Sequence, residues 1–398
     1  MLDALVDGLR EQAEALRHRL VAVRRELHAA AEVGLDLPAT QAIILRELEG
    51  LGLAISTGRS LSSVTAVLRG GAPGPVVLLR ADMDALPITE TTGLDFAAAS
   101  GAMHACGHDL HMAGLLGAVR LLVALREELP GTVVFMFQPG EEGQGGGRIM
   151  VEEGVLDAAG ERAIAAYALH VDSATPHGRV VTREGAMMAS ASALRLVVRG
   201  TGGHAAFPQL AADPVPVAAQ LIMAVQSFAA RRLPATDQAV ISITRLWSDS
   251  EASNVLASAV HLEANIRTLS AATLETVRTV LPRVLAGIAE ANGCTLESEF
   301  IASYPVTYND PGETRAALAL LDDVVGADRV TRMSAPSMAS EDFAYVLEQV
   351  PGALVFVGAA PPSGANPLHA EGTSFDDSVL SLQAELLAAL AWNRLSRA

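Results

Sequence analysis

The chain has 398 residues, with 45 acidic side chains against 28 basic ones, a formal charge of -17 and half of its residues hydrophobic. Every basic residue is Arg, since the sequence contains no Lys, which excludes a Walker A lysine, a Schiff-base lysine and a pyridoxal-phosphate lysine. Two cysteines exclude a disulfide scaffold, and the acidic balance argues against general nucleic-acid binding, which needs a basic surface.

At roughly 150 residues per domain, the length suggests two to three domains with ample apolar material for a core. The start of the chain is interrupted by Asp3, Asp7, Arg10, Glu11 and Glu14, so it lacks the continuous apolar run of a signal peptide, and a cytoplasmic location is expected. The 110–125 stretch is broken by His111 and Arg120. No apolar run reaches the ~20 residues of a membrane span, so no membrane partner is expected.

Apolar residues recur at helical spacing over 2–27 (Leu9, Ala13, Leu16, Leu20, Val23, Leu27) and again over 40–51, which predicts two surface helices. Four short runs are continuously apolar, at 76–79, 133–137, 163–169 and 353–357, as in strands buried on both faces of a parallel or mixed sheet covered by helices. Between the first two lies a helix-like segment, 109–128, with Asp109 as its N-cap and Pro130-Gly131 as its stop. That rhythm is βαβ, the signature of an α/β layered fold.

From about residue 189 the pattern becomes alternating: Leu194, Leu196 and Val198 alternate with Arg195, Val197 and Arg199, as in a sheet with one wet face. The order that follows is helix 213–231, strand 239–246, strand 259–269, helix 272–292 and strand 294–302. With the first strand this is βαββαβ, the ferredoxin-like split motif. Doubly buried runs return only afterwards, so the alternating block is an insertion. The expected organisation is a discontinuous catalytic domain, 1–187 and 301–398, with a mixed, mainly parallel sheet, interrupted by an inserted domain at 188–300.

Sites on open α/β sheets form at the carboxyl ends of strands. Three of the buried runs end in Arg80-Ala-Asp82-Met-Asp84, Gln138-Pro-Gly-Glu141-Glu142 and His170-Val-Asp172, and the segment that opens the 109–128 helix holds His104, Cys106, His108, Asp109 and His111. Thiolate and imidazole suit Zn, while carboxylates also admit Mn or Co. Adjacent glutamates divide labour naturally: one binds metal, and its neighbour takes a proton from an activated water. Small Gly107 lets an extended entry loop aim both Cys106 and His108 inward. His104 and His111 are read as orienting the true ligands. His18 and His28 are read as riding on a polar helix face, His177 as part of a turn and His261 as sharing a wet strand face with Glu263. Cys294 reads as a strand-start residue, and the glycines of 143–147 as flexible support for the two glutamates.

Taken together, Arg80-Ala-Asp-Met-Asp-Ala-Leu-Pro-Ile88, Met103-His-Ala-Cys-Gly-His-Asp-Leu-His111, Gln138-Pro-Gly-Glu-Glu-Gly143, Gly202-Gly-His-Ala-Ala206, Ser340-Glu-Asp-Phe343 and Pro367-Leu-His369 closely resemble the M20 metallopeptidase family. The nearest branch is its amidohydrolase group, which includes hippurate hydrolases, N-acyl-amino-acid amidohydrolases and auxin-conjugate hydrolases. The resemblance implies a two-metal catalytic domain and an inserted lid through which the protein forms a homodimer or tetramer. It implies Cys106 bridging two divalent ions (Zn, Mn or Co), with His108, Glu142, His170 and His369 as the other ligands and Glu141 as general base. Asp84 resembles an acid that orients a ligand from behind. On the lid, His204 resembles the residue that steadies the oxyanion, and Asn254 and Arg267 match positions that hold the substrate carboxylate, for which Arg is chemically apt. Gln209 stands where the family commonly has His, and Leu256-Ala257 where it commonly has Ile-Pro, which bears on lid contacts and substrate preference.

The implied reaction is metal-assisted hydrolysis of an N-acyl-amino acid, a small-molecule substrate, to a carboxylic acid and a free amino acid. Within the same chemistry stand a dipeptidase or carboxypeptidase and an N-acetyl-diaminopimelate deacetylase. Outside it stand a cysteine hydrolase using Cys106 with His108 or His104, which predicts indifference to chelators, and a non-catalytic metal sensor. A zinc nucleobase deaminase is weaker, for want of a Pro-Cys-x-x-Cys.

Overall fold

The computed structural model describes residues 2–364 and 366–397. The chain divides into two compact units, one formed by Met1–Met187, Tyr308–Ala335 and Asp342–Ala398, the other by Met188–Thr307 and Pro336–Glu341. No helix among the described residues is long and apolar enough to cross a membrane.

In the first unit an eight-stranded sheet runs in the order Ala54–Thr57, Val64–Arg69, Pro130–Gln138, Ala72–Asp82, Ala165–Asp172, Gly352–Gly358, Val180–Thr182 and Val330–Arg332. The central pairings are parallel, which requires crossover connections and puts helices on the faces. The sheet is therefore mixed and largely parallel, as the continuous apolar runs require. The alignment of Leu79 with both Phe135 and Tyr167 brings the carboxyl ends of three central strands to one edge, and all the polar strand ends collect there. Four strands carry no clear signal in the sequence: Val180–Thr182 and Val330–Arg332 have three residues each, too few for a period. Ala54–Thr57 is exposed throughout, and Val64–Arg69 has buried Thr65 among its apolar residues.

Helices α1 (Leu2–Ala29), α2 (Pro38–Leu48) and α3 (His108–Ala124) form in the expected places. Helix α3 is buried on nearly all sides, and its glycines set how closely its neighbours approach: a Cβ at Gly117 would lie 2.6 Å from the Ala384 Cβ on the Leu380–Ser396 helix. Two expectations about these helices are corrected. Asp109 does not cap α3; the cap position is Gly107, at φ 85°, and Asp109 lies in the first turn, buried against Arg24 with Arg24 Nε 2.6 Å from its Oδ2. His28 does not ride on a polar face but is buried. Leu20, Arg24 and His28 are one turn apart and so share the face of α1 that meets the core.

The second unit contains strand Ala191–Arg199, helix Pro214–Arg231, strands Ala239–Ser248 and Ala259–Thr268, helix Ala271–Ala291 and strand Thr295–Tyr304. Its four long strands pair antiparallel in the order Ala239–Ser248, Ala259–Thr268, Ala191–Arg199, Thr295–Tyr304. Leu194, Leu196, Val198, Leu262, Ala264 and Ile266 pack with Val217, Leu221, Val277 and Leu281 of the helices in one core, while the alternate positions carry ion pairs such as Arg199 with Glu297. Asp213 and Ser270 cap the two helices, accepting from Val215 N and Thr273 N.

Candidate metal centre

Cys106 and His108 sit at the start of α3, joined by Gly107 in the left-handed conformation. Only glycine fits there: a Cβ would meet Val171 at 2.3 Å. The turn aims both side chains to one side, as expected of the entry loop. Cys106 Sγ lies 3.5 Å from His170 Nε2 and 3.3 Å from His369 Nε2. His369 Nε2 is also 3.2 Å from Glu142 Oε1. His369 is the non-glycine residue at positive φ, 65°, among the described residues, and its N–H donates to Ala105 O at 3.1 Å, which draws the 366–373 loop onto the Cys106 turn. Two triads result: Cys106, His108 and His170, and Cys106, Glu142 and His369, each with ligand atoms within 4.8 Å of one another. Cys106 is common to both. Glu141 joins His108 and Glu142 in a third such group.

The supporting residues explain the aim of each side chain. Asp84 accepts from Glu141 N at 2.9 Å and Glu142 N at 3.0 Å, one carboxylate oxygen each, so it fixes the backbone of both glutamates. The backbone carbonyl of Asp84 accepts from His108 Nδ1 at 2.8 Å, leaving Nε2 to face the centre. His170 Nδ1 donates to Val171 O at 2.7 Å with the same result. His111 is not in either triad but serves from behind: its Nδ1 donates to Asp82 Oδ1 at 2.6 Å and its Nε2 accepts from Val171 N at 2.8 Å, which pins the strand end that carries His170. That role needs a neutral ring, and burial, only partly offset by Asp82, lowers His111 to about 4. Burial lowers His104 to about 3.

Beneath Glu141 lies a buried network that the sequence does not announce. Arg80 donates to Asp82 Oδ2 at 2.6 Å, Gln138 Oε1 at 2.9 Å and Asp342 Oδ1 at 2.9 Å. Asp342 also accepts from Gly147 N at 2.8 Å, and its own N–H donates to Glu141 Oε1 at 3.4 Å. The one signal for it is an Arg at the end of an apolar run, which must be paired when buried; its partner Asp342 is 262 residues away. Removing that partner with Asp342→Ala leaves a buried guanidinium undercompensated, and a loss of about 3–5 kcal/mol is expected in urea unfolding.

The electrostatics favour a bound cation. Burial raises the Cys106 thiol, but the charge of His170 and the hydrogen bonds of His108, His170 and His369 outweigh it and bring the thiol down to about 6, so the metal-binding thiolate predominates at neutral pH. Hydrogen bonds to Cys106 and Glu142, against burial, lift His369 to about 10. His108 Nε2 is turned inwards beside Cys106 and Asp82 Oδ2, and Glu142 Oε1 faces His369 Nε2, so both buried atoms point at the groups of the two triads. One thiolate, three imidazoles and a carboxylate form a donor set suited to Zn, Mn or Co.

The family model for peptidase family M20/M25/M40 matches residues 78–393. The chain belongs to peptidase family M20/M25/M40. The chain is 35% identical to N-acetylcysteine deacetylase of Bacillus subtilis, with 95% of this chain and 97% of the relative covered. It is 32% identical to thermostable carboxypeptidase 2 of Saccharolobus solfataricus, covering 97% and 98%. Among solved structures, the YXEP protein of Bacillus subtilis, described as a dinuclear metal-binding peptidase, superposes with a TM-score of 0.83 at 32% identity over 97% and 99% of the two chains. This M20 protein is accordingly a metal-dependent hydrolase acting on amide bonds.

Three of the residues singled out in the sequence, His204, Asn254 and Arg267, lie in the second unit. His204 is exposed on a two-residue strand paired with Val255–Leu256, and its Nδ1 accepts from Ala206 N at 3.1 Å. Asn254 lies beside it through its carbonyl, which accepts from Ala205 N at 3.0 Å. Arg267 is half-buried; its Nη1 donates to Ser340 Oγ at 2.8 Å and its Nε to Asn265 Oδ1 at 3.2 Å.

Proposed function

We propose that this protein hydrolyses N-acyl-L-amino acids to a carboxylic acid and a free amino acid, with Cys106, His108, Glu142, His170 and His369 holding two divalent ions and Glu141 as general acid and base. The observation that carries the reading is the pair of ligand triads sharing Cys106: one thiolate central to two sets of nitrogen and oxygen donors is the arrangement two neighbouring ions need. When bound, such ions polarise a carbonyl oxygen and acidify a water.

The chain's own groups do the rest. Glu141, fixed through its backbone by Asp84 and facing Asp342 N, takes the proton of the attacking water and returns it to the leaving amine. His204 is assigned to steady the oxyanion, and Asn254 and Arg267 to bind the substrate carboxylate, with Arg267 free to use its planar fork once Ser340 yields. The second unit, whose strand order and βαββαβ sequence suit a ferredoxin-like lid, is assigned the dimer contact. A cytoplasmic location belongs to the same reading.

The deacetylase relative favours an N-acyl substrate, and the carboxypeptidase relative keeps peptides as the second reading. The test is a panel of N-acetyl-, N-benzoyl- and indoleacetyl-amino acids beside dipeptides, followed by release of the free amino acid. The reading predicts higher kcat/KM on at least one N-acyl-amino acid than on any dipeptide; the reverse ranking would replace it with the peptidase reading.

A further inference from the structure

Behind the metal centre, four ionisable side chains from three parts of the first unit meet with almost no exposure. His28, near the end of α1, has Nδ1 2.8 Å from Asp109 Oδ2 and Nε2 3.1 Å from Glu90 Oε2. Arg24, one turn earlier, places Nε 2.6 Å from the same Asp109 oxygen. Phe96 seals the group: the His28 ring meets it edge-on at 5.3 Å, and the guanidinium groups of Arg24 and Arg25 lie 4.8 and 4.9 Å from its centroid.

We propose that His28, clamped between Glu90 and Asp109, is a positioning residue for the metal centre: a buried imidazolium that ties the 85–105 loop to the first turn of α3 and so fixes the Cys106–His108 turn from both sides. The inference rests on the metal-centre reading above.

The geometry dictates the charge of the ring. An imidazole with a carboxylate oxygen at each nitrogen satisfies both only by donating from both, which requires two protons. Burial disfavours that charge, and the two carboxylates outweigh it, so His28 titrates above the usual histidine range. Two cations and two carboxylates then balance in the dry interior, whereas removing one leaves the others uncompensated.

The connectivity gives the cluster its reach. Asp109 directly follows His108. Glu90 closes its own loop, accepting from Ala98 N at 2.8 Å and from the Thr92 hydroxyl, and the next residue, Thr91, donates to Glu371 O at 2.8 Å, beside the His369 loop. The loop's base is shut by Leu86 and Met103, whose N–H groups each donate to the other's carbonyl at 3.0 and 2.9 Å. Gly107 holds a left-handed conformation between Cys106 and His108, with the loop on one side and Asp109 on the other. An imidazolium joining those two sides fixes the separation of Cys106 Sγ and His108 Nε2 without touching either.

The test uses full-length His28→Leu and Glu90→Gln proteins with Co2+ as the probe. Affinity is read by competition with a chromophoric chelator, site geometry by the thiolate charge-transfer and d–d absorption bands, and folding by circular dichroism. Residues that orient ligands from behind typically contribute 10–100-fold in metal affinity. His28→Leu is expected to be folded, to bind Co2+ about 10-fold more weakly and to show displaced d–d bands. Glu90→Gln, which keeps the shape and leaves the ring neutral, is expected to show the displaced bands with a smaller loss of affinity. A folded His28→Leu with wild-type affinity and spectrum would overturn the inference, as would a wild-type result for Glu90→Gln should His28→Leu not fold. Wild-type protein that takes up no Co2+ would overturn the metal-centre reading and this inference together, whereas normal wild-type uptake with unchanged variants would overturn this inference alone.

Discussion

Glu141→Gln is expected to lose about a thousand-fold in kcat while retaining its metal. General acid–base groups contribute roughly 10²–10⁴-fold, and the adjacent carboxylate, Glu142, is turned towards His369 at 3.2 Å. The substitution keeps the size of the side chain and an oxygen able to accept from Asp342 N, which approaches Glu141 Oε1 at 3.4 Å. Metal analysis beside steady-state kinetics checks both halves of the expectation. A loss of metal that matches the loss of rate would make Glu141 a ligand and leave the base unassigned.

The second large effect is expected at Cys106. Because its sulfur belongs to both triads, Cys106→Ala weakens both sets of donors at once. A residue behind a ligand contributes 10–100-fold in affinity, so loss of the shared ligand is expected to cost about 100-fold or more, with activity falling to background. Cys106→Asp distinguishes this from a cysteine hydrolase. A carboxylate is itself a good ligand for Zn, Mn or Co, so this variant is expected to recover metal binding and measurable turnover. A nucleophilic mechanism requires sulfur and predicts that both variants are dead. The nearness of His170 and His369 to the thiol fits either mechanism on distance alone; the Cys106→Asp variant separates them.

The central strands of the sheet are legible in the sequence for a physical reason, as are Cys106, His108, Glu142 and His170 as metal-ligating types near strand ends, whereas His369 is reached only through the resemblance to the M20 family. Strands buried on both faces must be continuously apolar, so 76–79, 133–137 and 353–357 stand out, and metal-ligating residue types at strand ends follow at once. The 85–105 loop and the short strands Val180–Thr182 and Val330–Arg332 are illegible because their conformation is imposed by tertiary partners. His28 shows the same limit more sharply. Its helical spacing places it beside Arg24, two polar residues that look like a solvated face. Only Asp109 and Glu90, 81 and 62 residues away, make that face a buried one. Arg80 belongs with it, since one of its two carboxylates, Asp342, lies 262 residues on. The pairs of His28 with Asp109 and Glu90 and of Arg80 with Asp342 are long-range, and hydrophobic periodicity does not encode them.

The most direct test of metal-dependent amide hydrolysis is to assay one N-acyl-amino acid before chelation, after chelation, and after stepwise return of Zn2+, Mn2+ or Co2+, while counting bound ions. Activity that disappears with the metal, and returns as two ions per chain are taken up, is the predicted result. Activity that survives complete removal of metal but not alkylation of Cys106 would contradict it.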